Sequence, residues 1–235
     1  MNTFVLVHGA WHGGWVWRNT EAHLRAVGHH TYAPTLTGLS DRAHLLDPQV
    51  SLTTHVEDIV ALIVAHDLRE VVLVGHGYGG QVVTGAADRL AERLARRVHV
   101  DAFVGGDGDS AISLLPAAVA AEHRERVSLA GFGWLVPVPS AKALDGDARN
   151  GVDRALPRLT AQPWRSYTEP LSLAGQADLV PGVFVECTDG MGVCASQARR
   201  AAARGWPVHR VEARHDAMLT VPRTLVDVLL RIVGS

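Results

Sequence analysis

The sequence has little of several features that would each indicate a particular class of protein. Its two cysteines, Cys187 and Cys194, are too few for a disulfide framework, so we expect a cytoplasmic protein in a reducing compartment. No apolar run approaches the ~20 residues that a membrane-spanning helix needs, and residues 1–8 lack the basic segment of a signal peptide. The 22 basic residues nearly balance the 24 acidic ones, and a net charge of −2 argues against a protein that binds nucleic acid or anionic membranes.

Lysine is also nearly absent, because Lys142 is the only lysine among the 22 basic residues. We interpret this as the codon bias of GC-rich DNA, which indicates a bacterial source and carries no chemistry. The other proportions, 47% hydrophobic and 20% charged residues, are typical of a folded globular protein. A chain of 235 residues is long enough to bury one large core.

Short apolar strands alternate with amphipathic helices along most of the chain. Strands are predicted over residues 3–7, 30–33, 71–74, 98–104, 183–186 and 208–212. Helices are predicted over residues 15–27, 56–64, 79–94, 195–204 and 222–233. This alternation is typical of βαβ units, so we predict an α/β fold with a mainly parallel sheet and helices on both faces.

The alternation is interrupted between residues 105 and 182. Seven of the 11 prolines fall there, and only residues 117–129 suggest a helix. We predict a single domain over residues 1–235, with a core of residues 1–104 and 183–235 and an inserted helical cap over about 105–182. Phe132, Trp134 and Trp164 lie in this cap, where aromatic side chains either line a pocket for a flat ligand or only pack within the cap.

A strand that runs into a glycine-rich turn and then a helix is the strongest chemical signal. Residues 71–80 read VVLVGHGYGG, which is the context of a nucleophile elbow, although the central position of its G-x-S-x-G pattern is Gly77. A second turn, HGAWHGGW over residues 8–15, follows the first strand. We expect it to place the backbone N–H of Ala10 beside the elbow, where it would form an oxyanion hole with the N–H of Tyr78.

A histidine and an acidic residue follow the last two predicted strands. His215 comes after the final strand and is the predicted general base. Asp189 comes after the strand before it and is the carboxylate predicted to orient His215. Asp101 is the alternative acid, although a structural role is the simpler interpretation of that residue.

Together these segments resemble α/β-hydrolases of the subgroup that includes plant methyl-ester esterases and hydroxynitrile lyases, with their bacterial relatives. The resemblance covers nearly the whole chain. It implies the α/β-hydrolase fold, a cap at the position of the insertion, and a Ser-His-Asp triad acting on small esters or cyanohydrins. Bacterial relatives often act in natural-product pathways, and homodimers are common in the subgroup. The family usually has one more residue in the stretch that reads Cys187-Thr188-Asp189 here, so the acid stays open between Asp189 and Asp101.

Gly77 stands where this family has its serine, and glycine cannot form an acyl-enzyme. The main hypothesis is an enzyme that lacks the serine nucleophile and performs non-covalent acid/base chemistry on an apolar or aromatic small molecule in natural-product biosynthesis. Cyclisation, elimination, and C–C bond formation or cleavage are the reactions considered. The second hypothesis is a methyl-ester esterase whose serine was mutated to Gly77. The third is a ligand-binding relative without catalysis.

Several further residues are expected to surround the pocket. His12 and His76 either contact substrate or replace the base, or else they only pack. No H-x-H, HExxH or C-x-x-C pattern suggests a metal, and the glycine-rich turn does not open the first βαβ unit as a dinucleotide motif would. We therefore predict a small-molecule substrate, no cofactor and no metal. The predicted pocket residues are Gly9, Trp11, His12, His76, Phe132, Trp134, Trp164 and Met218.

Overall fold

A parallel sheet of six strands forms the centre of the protein in a computed structural model that describes residues 1–140, 155–189 and 194–234. Its strand order is β2-β1-β3-β4-β7-β8, and every neighbouring pair is parallel. These six strands are β1 (Thr3–Val7), β2 (His30–Tyr32), β3 (Val71–His76), β4 (Leu94–Val100), β7 (Gly182–Cys187) and β8 (Val208–Val211). The fold class is therefore confirmed as α/β with a mainly parallel sheet.

Helices cover both faces of this sheet. They are α1 (Arg18–Ala26), α2 (Leu52–Ala65), α3 (Gly79–Arg89), α4 (Ala117–Ala130), α5 (Trp164–Thr168), α6 (Ala195–Ala203), α7 (Ala217–Thr220) and α8 (Pro222–Gly234). Among the described residues, no helix combines the length and the apolar character that crossing a bilayer requires.

Strands β1, β3 and β7 are mostly apolar because both of their faces are buried. In β1, Val5 and Val7 pack into one core with α2 and α3, whereas Phe4 and Leu6 pack into a second core with α8. Successive side chains of a strand point to opposite faces, so two buried faces require a continuous apolar run instead of an alternating one. This is why the short run at residues 3–7 predicts its strand correctly.

The boundary between α3 and β4 differs from the prediction. The predicted helix 79–94 ends at Arg89, and the predicted strand 98–104 begins at Leu94 and ends at Val100. Leu90 is buried and continues the apolar spacing of α3 past its end, while Arg96 and Arg97 hide the start of the strand. Because β4 ends at Val100, Asp101 is the residue that follows its carboxyl end.

The segment between β4 and β7 contains α4 and α5, as well as two short strands that the sequence did not predict. β5 (Leu135–Val136) and β6 (Gln162–Pro163) are antiparallel and flanked by prolines, which obscure a strand pattern. The predicted helix over 117–129 is confirmed by α4. Residues 141–154 of the predicted cap lie outside the described part, and the boundaries of that cap stay a prediction.

The loop after β1 is hydrogen-bonded to the antiparallel pair of strands β5 and β6 and to Thr160 just before β6. The backbone N–H of Trp11 donates to Oε1 of Gln162 (3.2 Å), and its indole N–H donates to the carbonyl of Val136 (3.2 Å). The carbonyl of Trp11 accepts from the N–H of Thr160 (2.9 Å). Trp11 also has a φ of +65°, a strained value for a bulky residue, and these contacts hold it there.

Strand β3 and helix α3 approach each other so closely that the turn between them needs glycine. A Cβ on Gly79 would lie 2.8 Å from the carbonyl oxygen of His8, and a Cβ on Gly80 would lie 2.2 Å from that of Phe103. Backbone oxygens cannot move away as a flexible side chain can. The glycines of GHGYGG therefore set how deeply the start of α3 sits among the strand ends.

Replacing Gly80 by alanine should destabilise the protein by about 1–3 kcal/mol, since the new methyl group must displace the backbone at Phe103. Urea unfolding measures the change. Gly234→Ala is the matched control, because a Cβ there meets nothing within 4 Å, and its stability should stay near that of the parent. Equal stability of the two variants would contradict the close approach of α3.

Candidate active site

The turn between β3 and α3 has the backbone conformation of an elbow, with Gly77 at its apex. Gly77 has a φ of +52°, in the left-handed region that favours glycine. Its carbonyl accepts from the N–H of Phe103 (3.0 Å) and of Gly80 (3.2 Å), which fixes the turn. A Cβ built on Gly77 would lie 3.2 Å from Nε2 of His215. The turn therefore aims its central position at the imidazole, and glycine places no side-chain atom there.

His215 is paired with Asp101. Its Nδ1 lies 2.7 Å from Oδ2 of Asp101, which is buried directly after β4. With Nδ1–H donating to the carboxylate, the neutral ring keeps Nε2 as a proton acceptor that faces Gly77. The side chain of His215 is 36% exposed, which leaves it open to the neighbouring cavity. The two residues therefore form a dyad with the geometry of a base and its orienting carboxylate.

The prediction that Asp189 orients His215 is wrong. Asp189 is exposed, its backbone N–H donates to the carbonyl of Ala213 (3.0 Å), and its carboxylate accepts from the hydroxyl of Thr188 (3.4 Å). Asp101 is the residue that pairs with His215, because β4 is the direct neighbour of β3 and the end of β4 therefore lies beside the elbow. The shortened CTD stretch was the signal in the sequence that left the acid open between Asp189 and Asp101.

Burial and the carboxylate act on the pKa of His215 in opposite directions. Burial lowers the pKa of this imidazole, but the hydrogen bond to Asp101 and the charge of that carboxylate, together with the contact to the sulfur of Cys194, outweigh it and raise the pKa well above its usual value. The thiol of Cys194 lies 4.0 Å from Nδ1 of His215 and donates to the carbonyl of Asp101 (3.1 Å). Since burial raises the pKa of this thiol, it is neutral near pH 7, and Asp101 is the anion that stabilises the imidazolium.

The loop that carries Ala10 is held by a neutral histidine. Nδ1–H of His8 donates to the carbonyl of Gly9 (2.8 Å), so its Nε2 accepts from the N–H of Leu36 (3.0 Å). Burial lowers the pKa of His8 to about 3, which keeps this arrangement neutral. The Cα of Gly9 lies 3.7 Å from the position of a Cβ on Gly77. The loop therefore closes against the elbow, as the predicted oxyanion hole requires.

Tyr78 is fixed by its side chain as well as by its place at the start of α3. Nε2–H of His55 donates to the carbonyl of Thr37 (2.9 Å), so Nδ1 accepts from the hydroxyl of Tyr78 (2.8 Å). Burial lowers the pKa of His55 to about 4 and keeps it neutral. In the described part of the chain, the backbone N–H groups of Ala10 and Tyr78 have no hydrogen-bond acceptor. Both residues line the cavity, where these donors can meet a ligand oxygen.

A second group of polar side chains lies on the other side of His215. His76 is buried, and its Nε2 donates to the carbonyl of His215 (3.1 Å), so its Nδ1 is an acceptor without a partner among the described residues. Burial lowers the pKa of His76 well below its usual value, so it is neutral. The buried carboxylate of Asp216 lies 3.7 Å from Nε2 of His76 and 3.7 Å from Nε2 of His12.

Two sets of side chains here have potential metal ligands within 4.8 Å of one another: His76, His215 and Asp216, and also Asp101, Cys194 and His215. In both sets a histidine nitrogen is already used, by the carbonyl of His215 in the first and by Asp101 in the second. The absence of a metal stays a prediction.

The dyad opens into a cavity of about 240 Å³. Of the predicted site residues, those that line it are Ala10, Trp11, His12, His76, Gly77, Tyr78 and His215. Aromatic rings make up much of the wall: Tyr78 stacks on Tyr167 with ring centres 5.6 Å apart, and Trp11 lies 6.4 Å from Tyr167. The site therefore suits a small, flat, mostly apolar ligand.

Five predicted pocket residues are not in the described wall of this cavity. Phe132 is 86% exposed, because it occupies the turn that ends α4 with a φ of +52° and projects into solvent. Met218 is fully buried in the core beneath the sheet, and Trp164 stacks on the outer side of Tyr167. Trp134 and Gly9 also lie outside the wall, although Gly9 contacts the elbow.

The sequence analysis missed several wall residues. Val119 and His123 are four residues apart and occupy one face of α4, a spacing that could have indicated which side of the predicted helix faces the pocket. The missed wall residues are Phe103, Leu115, Val119, Glu122, His123, Arg126, Pro139, Tyr167, Cys194 and Asp216.

Comparison with known proteins places this geometry in a family. The profile of the alpha/beta hydrolase family matches residues 4–228. The chain belongs to that family. It is 39% identical over 244 residues to a carbendazim hydrolyzing esterase of Nocardioides sp. (strain SG-4G), covering 97% of this chain and 98% of that protein.

More distant relatives agree with this assignment. The chain is also 33% identical over 264 residues to Methylesterase 1 of Arabidopsis thaliana, covering 97% of this chain and 95% of the relative. An extracellular α/β-hydrolase from a Paenibacillus species superposes with a TM-score of 0.88 at 21% identity, covering 98% of each chain. The chain is therefore an enzyme of the alpha/beta hydrolase family and has esterase relatives.

Asp101→Asn should lower the pKa of His215 by about one pH unit or more, since it removes the charge that stabilises the imidazolium. NMR titration of the imidazole protons measures this, with the His215 signal assigned by its loss in His215→Ala. Asp189→Asn is the matched control and should leave the pKa of His215 unchanged. A shift in the Asp189 variant alone would restore Asp189 as the partner.

Proposed function

We propose that this hydrolase is an esterase-like enzyme without a covalent nucleophile, in which His215 activates a water molecule that attacks the carbonyl carbon of a small ester. The observation that carries the proposal is that Nε2 of His215 faces the apex of the elbow, where Gly77 has no side chain. A Cβ on Gly77 would lie 3.2 Å from Nε2, so a side-chain nucleophile there would contact the base; with glycine, a water molecule in the cavity that both residues line can donate to Nε2 instead. Glycine itself supplies no atom that could form an acyl-enzyme.

The proposed reaction proceeds in two proton transfers. Nε2 of His215 takes a proton from water as the water oxygen bonds to the carbonyl carbon, and Asp101 stabilises the imidazolium that forms. The N–H groups of Ala10 and Tyr78 stabilise the negative oxygen of the tetrahedral intermediate. His215 then returns the proton to the leaving alcohol as the C–O bond breaks. The products are a carboxylic acid and an alcohol.

Cys194 does not replace the missing serine in this mechanism. Its sulfur lies 4.0 Å from Nδ1 of His215, whereas Nε2 is the nitrogen that faces Gly77. Burial also raises the pKa of the thiol, which disfavours the thiolate that nucleophilic attack requires.

The esterase relatives and the cavity support the choice of substrate. One relative is named as an esterase that hydrolyses carbendazim and another as a methylesterase, so small methyl esters and related carbonyl compounds are the proposed class. The aromatic wall formed by Trp11, Phe103 and Tyr167 favours a substrate with a flat apolar part.

The absence of a side chain at Gly77 also favours a second candidate function. A base opposite an oxyanion hole, with no nucleophile between them, can also remove a proton from a carbon next to a carbonyl and stabilise the enolate. This is the chemistry of elimination, cyclisation and C–C bond cleavage, and it keeps natural-product biosynthesis among the proposed settings.

The test is hydrolysis of a panel of methyl and aryl esters combined with mass spectrometry of the intact protein during turnover. The parent should hydrolyse members of the panel without any acyl adduct, and His215→Ala should lower the rate by about 10²- to 10⁴-fold. Asp189→Asn, which changes an exposed carboxylate, serves as the control and should keep full activity.

Other outcomes identify the alternatives. An acyl adduct on the parent would contradict the non-covalent mechanism. Inactivity of the parent together with strong activity and an adduct in Gly77→Ser would favour an esterase disabled at this position. Inactivity of both would reject ester hydrolysis and direct attention to proton abstraction or to ligand binding without turnover.

The rate should rise with pH through the pKa of His215, because the base acts in its neutral form and Asp101 raises that pKa. In Asp101→Asn the pKa falls, so the rising limb of kcat/KM should move to lower pH. Its plateau should drop, by up to about 10⁴-fold, because the ring loses its orienting partner. A pH-rate profile of both proteins checks the two effects together, and a rising limb at the same pH in both would contradict the role of Asp101.

A further inference from the structure

We infer that His12 and Asp216 form a subsite that binds a hydrogen-bond donor of the substrate, so the preferred substrates carry an N–H group near the reacting carbonyl. This inference deepens the proposed function and rests on it, because the subsite lies in the wall of the same cavity. It follows from the hydrogen bonds that these two buried side chains make and lack.

His12 presents an unused acceptor. The residue is 3% exposed, and its Nδ1–H donates to the carbonyl of Ala10 at 2.7 Å. A carbonyl oxygen can only accept, so the proton of the neutral ring sits on Nδ1 and Nε2 carries a lone pair. Within the described part of the chain, no donor reaches this Nε2; its polar neighbour is Oδ2 of Asp216 at 3.7 Å, which is also an acceptor.

Asp216 is a buried carboxylate that lacks hydrogen-bond donors. It is 4% exposed, and neither of its oxygens receives a hydrogen bond from the described residues. Nε2–H of His76 lies 3.7 Å from Oδ1, and that proton is already donated to the carbonyl of His215. Burying a carboxylate without donors is costly, so a group of this kind indicates a site that a ligand completes.

Two acceptors that face each other across 3.7 Å are matched by a ligand that brings the donor. A substrate N–H group supplies it, and an ether, a hydrocarbon or a second carbonyl does not. The position in the chain sets where this group lies on the substrate. His12 follows the oxyanion residue Ala10 by two residues, and Asp216 follows His215 directly, so the donor belongs within a few bonds of the carbonyl.

The aromatic wall adds to this requirement. The cavity that holds His12 and Asp216 also contains Trp11 and Tyr167, so the donor is presented beside a flat apolar surface. Anilides, N-aryl carbamates and heteroaromatic rings that carry an N–H join both features in one molecule, and they are the substrate class that we assign.

The experiment compares two ligands with the same heavy-atom arrangement, one with and one without the donor, and a variant of Asp216 then isolates the contribution of the N–H group from that of the amide carbonyl. Acetanilide and phenylacetone share one arrangement of heavy atoms and have, respectively, an N–H or a CH2 group between the ring and the carbonyl. Isothermal titration or NMR shifts should give about 10-fold or more tighter binding of acetanilide to the parent, since a hydrogen bond to a charged acceptor is involved.

Asp216→Asn should remove this preference, because the new amide can donate to Nε2 of His12 and occupy the place of the ligand donor. Asp189→Asn makes the same chemical change at an exposed position and should keep the preference. A thermal melt confirms that each variant is folded.

Equal binding of the two ligands, or no binding of acetanilide, would overturn the inference. It would mean that no N–H group of a ligand is bound between His12 and Asp216. Because the readout is binding, it separates the two proposals. A preference for acetanilide without turnover of any ester would reject the proposed function and keep the subsite, whereas turnover of methyl phenylacetate without the preference would do the reverse.

Discussion

The hydrogen bond between Nδ1 of His215 and the buried carboxylate of Asp101 is the contact on which the site depends. It decides which nitrogen of the imidazole faces the cavity, and it supplies the negative charge that makes a second proton on the ring acceptable. The backbone N–H groups of Ala10 and Tyr78 lie around it. Each of these two residues is positioned by a histidine that burial keeps neutral, His8 for the loop of Ala10 and His55 for Tyr78. The charged pair of His215 and Asp101 therefore lies among neutral histidines.

Gly77 changes what such a pair can do without disturbing its geometry. The turn retains the left-handed φ of an elbow, a conformation that costs a residue with a Cβ of order 1 kcal/mol or more and costs glycine little. Glycine at this position avoids that strain, and the imidazole, its carboxylate and two backbone N–H groups lie around it. Chemistry that needs no covalent bond to the protein is compatible with all of these groups.

The main elements of the fold were predictable because they depend on local patterns. Residues 3–7 are apolar throughout since both faces of the sheet are covered, and the glycines after β3 mark a turn that a Cβ would block. His215 was found because it follows the last strand. The partner of His215 was not predictable in the same way, since the choice between Asp101 and Asp189 depends on which strand ends lie side by side. The periodicity that ran past Leu90 also hid the true end of α3, and Arg96 and Arg97 hid the true start of β4.

The pocket wall was harder to predict for a related reason. A tryptophan or phenylalanine looks the same in the sequence whether it faces a ligand or solvent, and the φ of +52° that turns Phe132 outward is a property of the folded turn. The unpaired acceptors that we infer for His12 and Asp216 among the described residues also cannot be recognised in the sequence. A missing hydrogen bond can be recognised only after every neighbouring donor has been placed.

The hydrogen bonds of Trp11 have a consequence for how this enzyme can diverge. Its backbone and its indole are hydrogen-bonded to residues 136, 160 and 162, which lie between β4 and β7 in the segment that also supplies His123 and Tyr167 to the cavity wall. The same residue follows Ala10, whose backbone N–H is the proposed oxyanion donor. This segment and the loop after β1 are therefore not separable modules. Exchanging that segment with a relative's would bring a new specificity only if the partners of Trp11 were transferred with it.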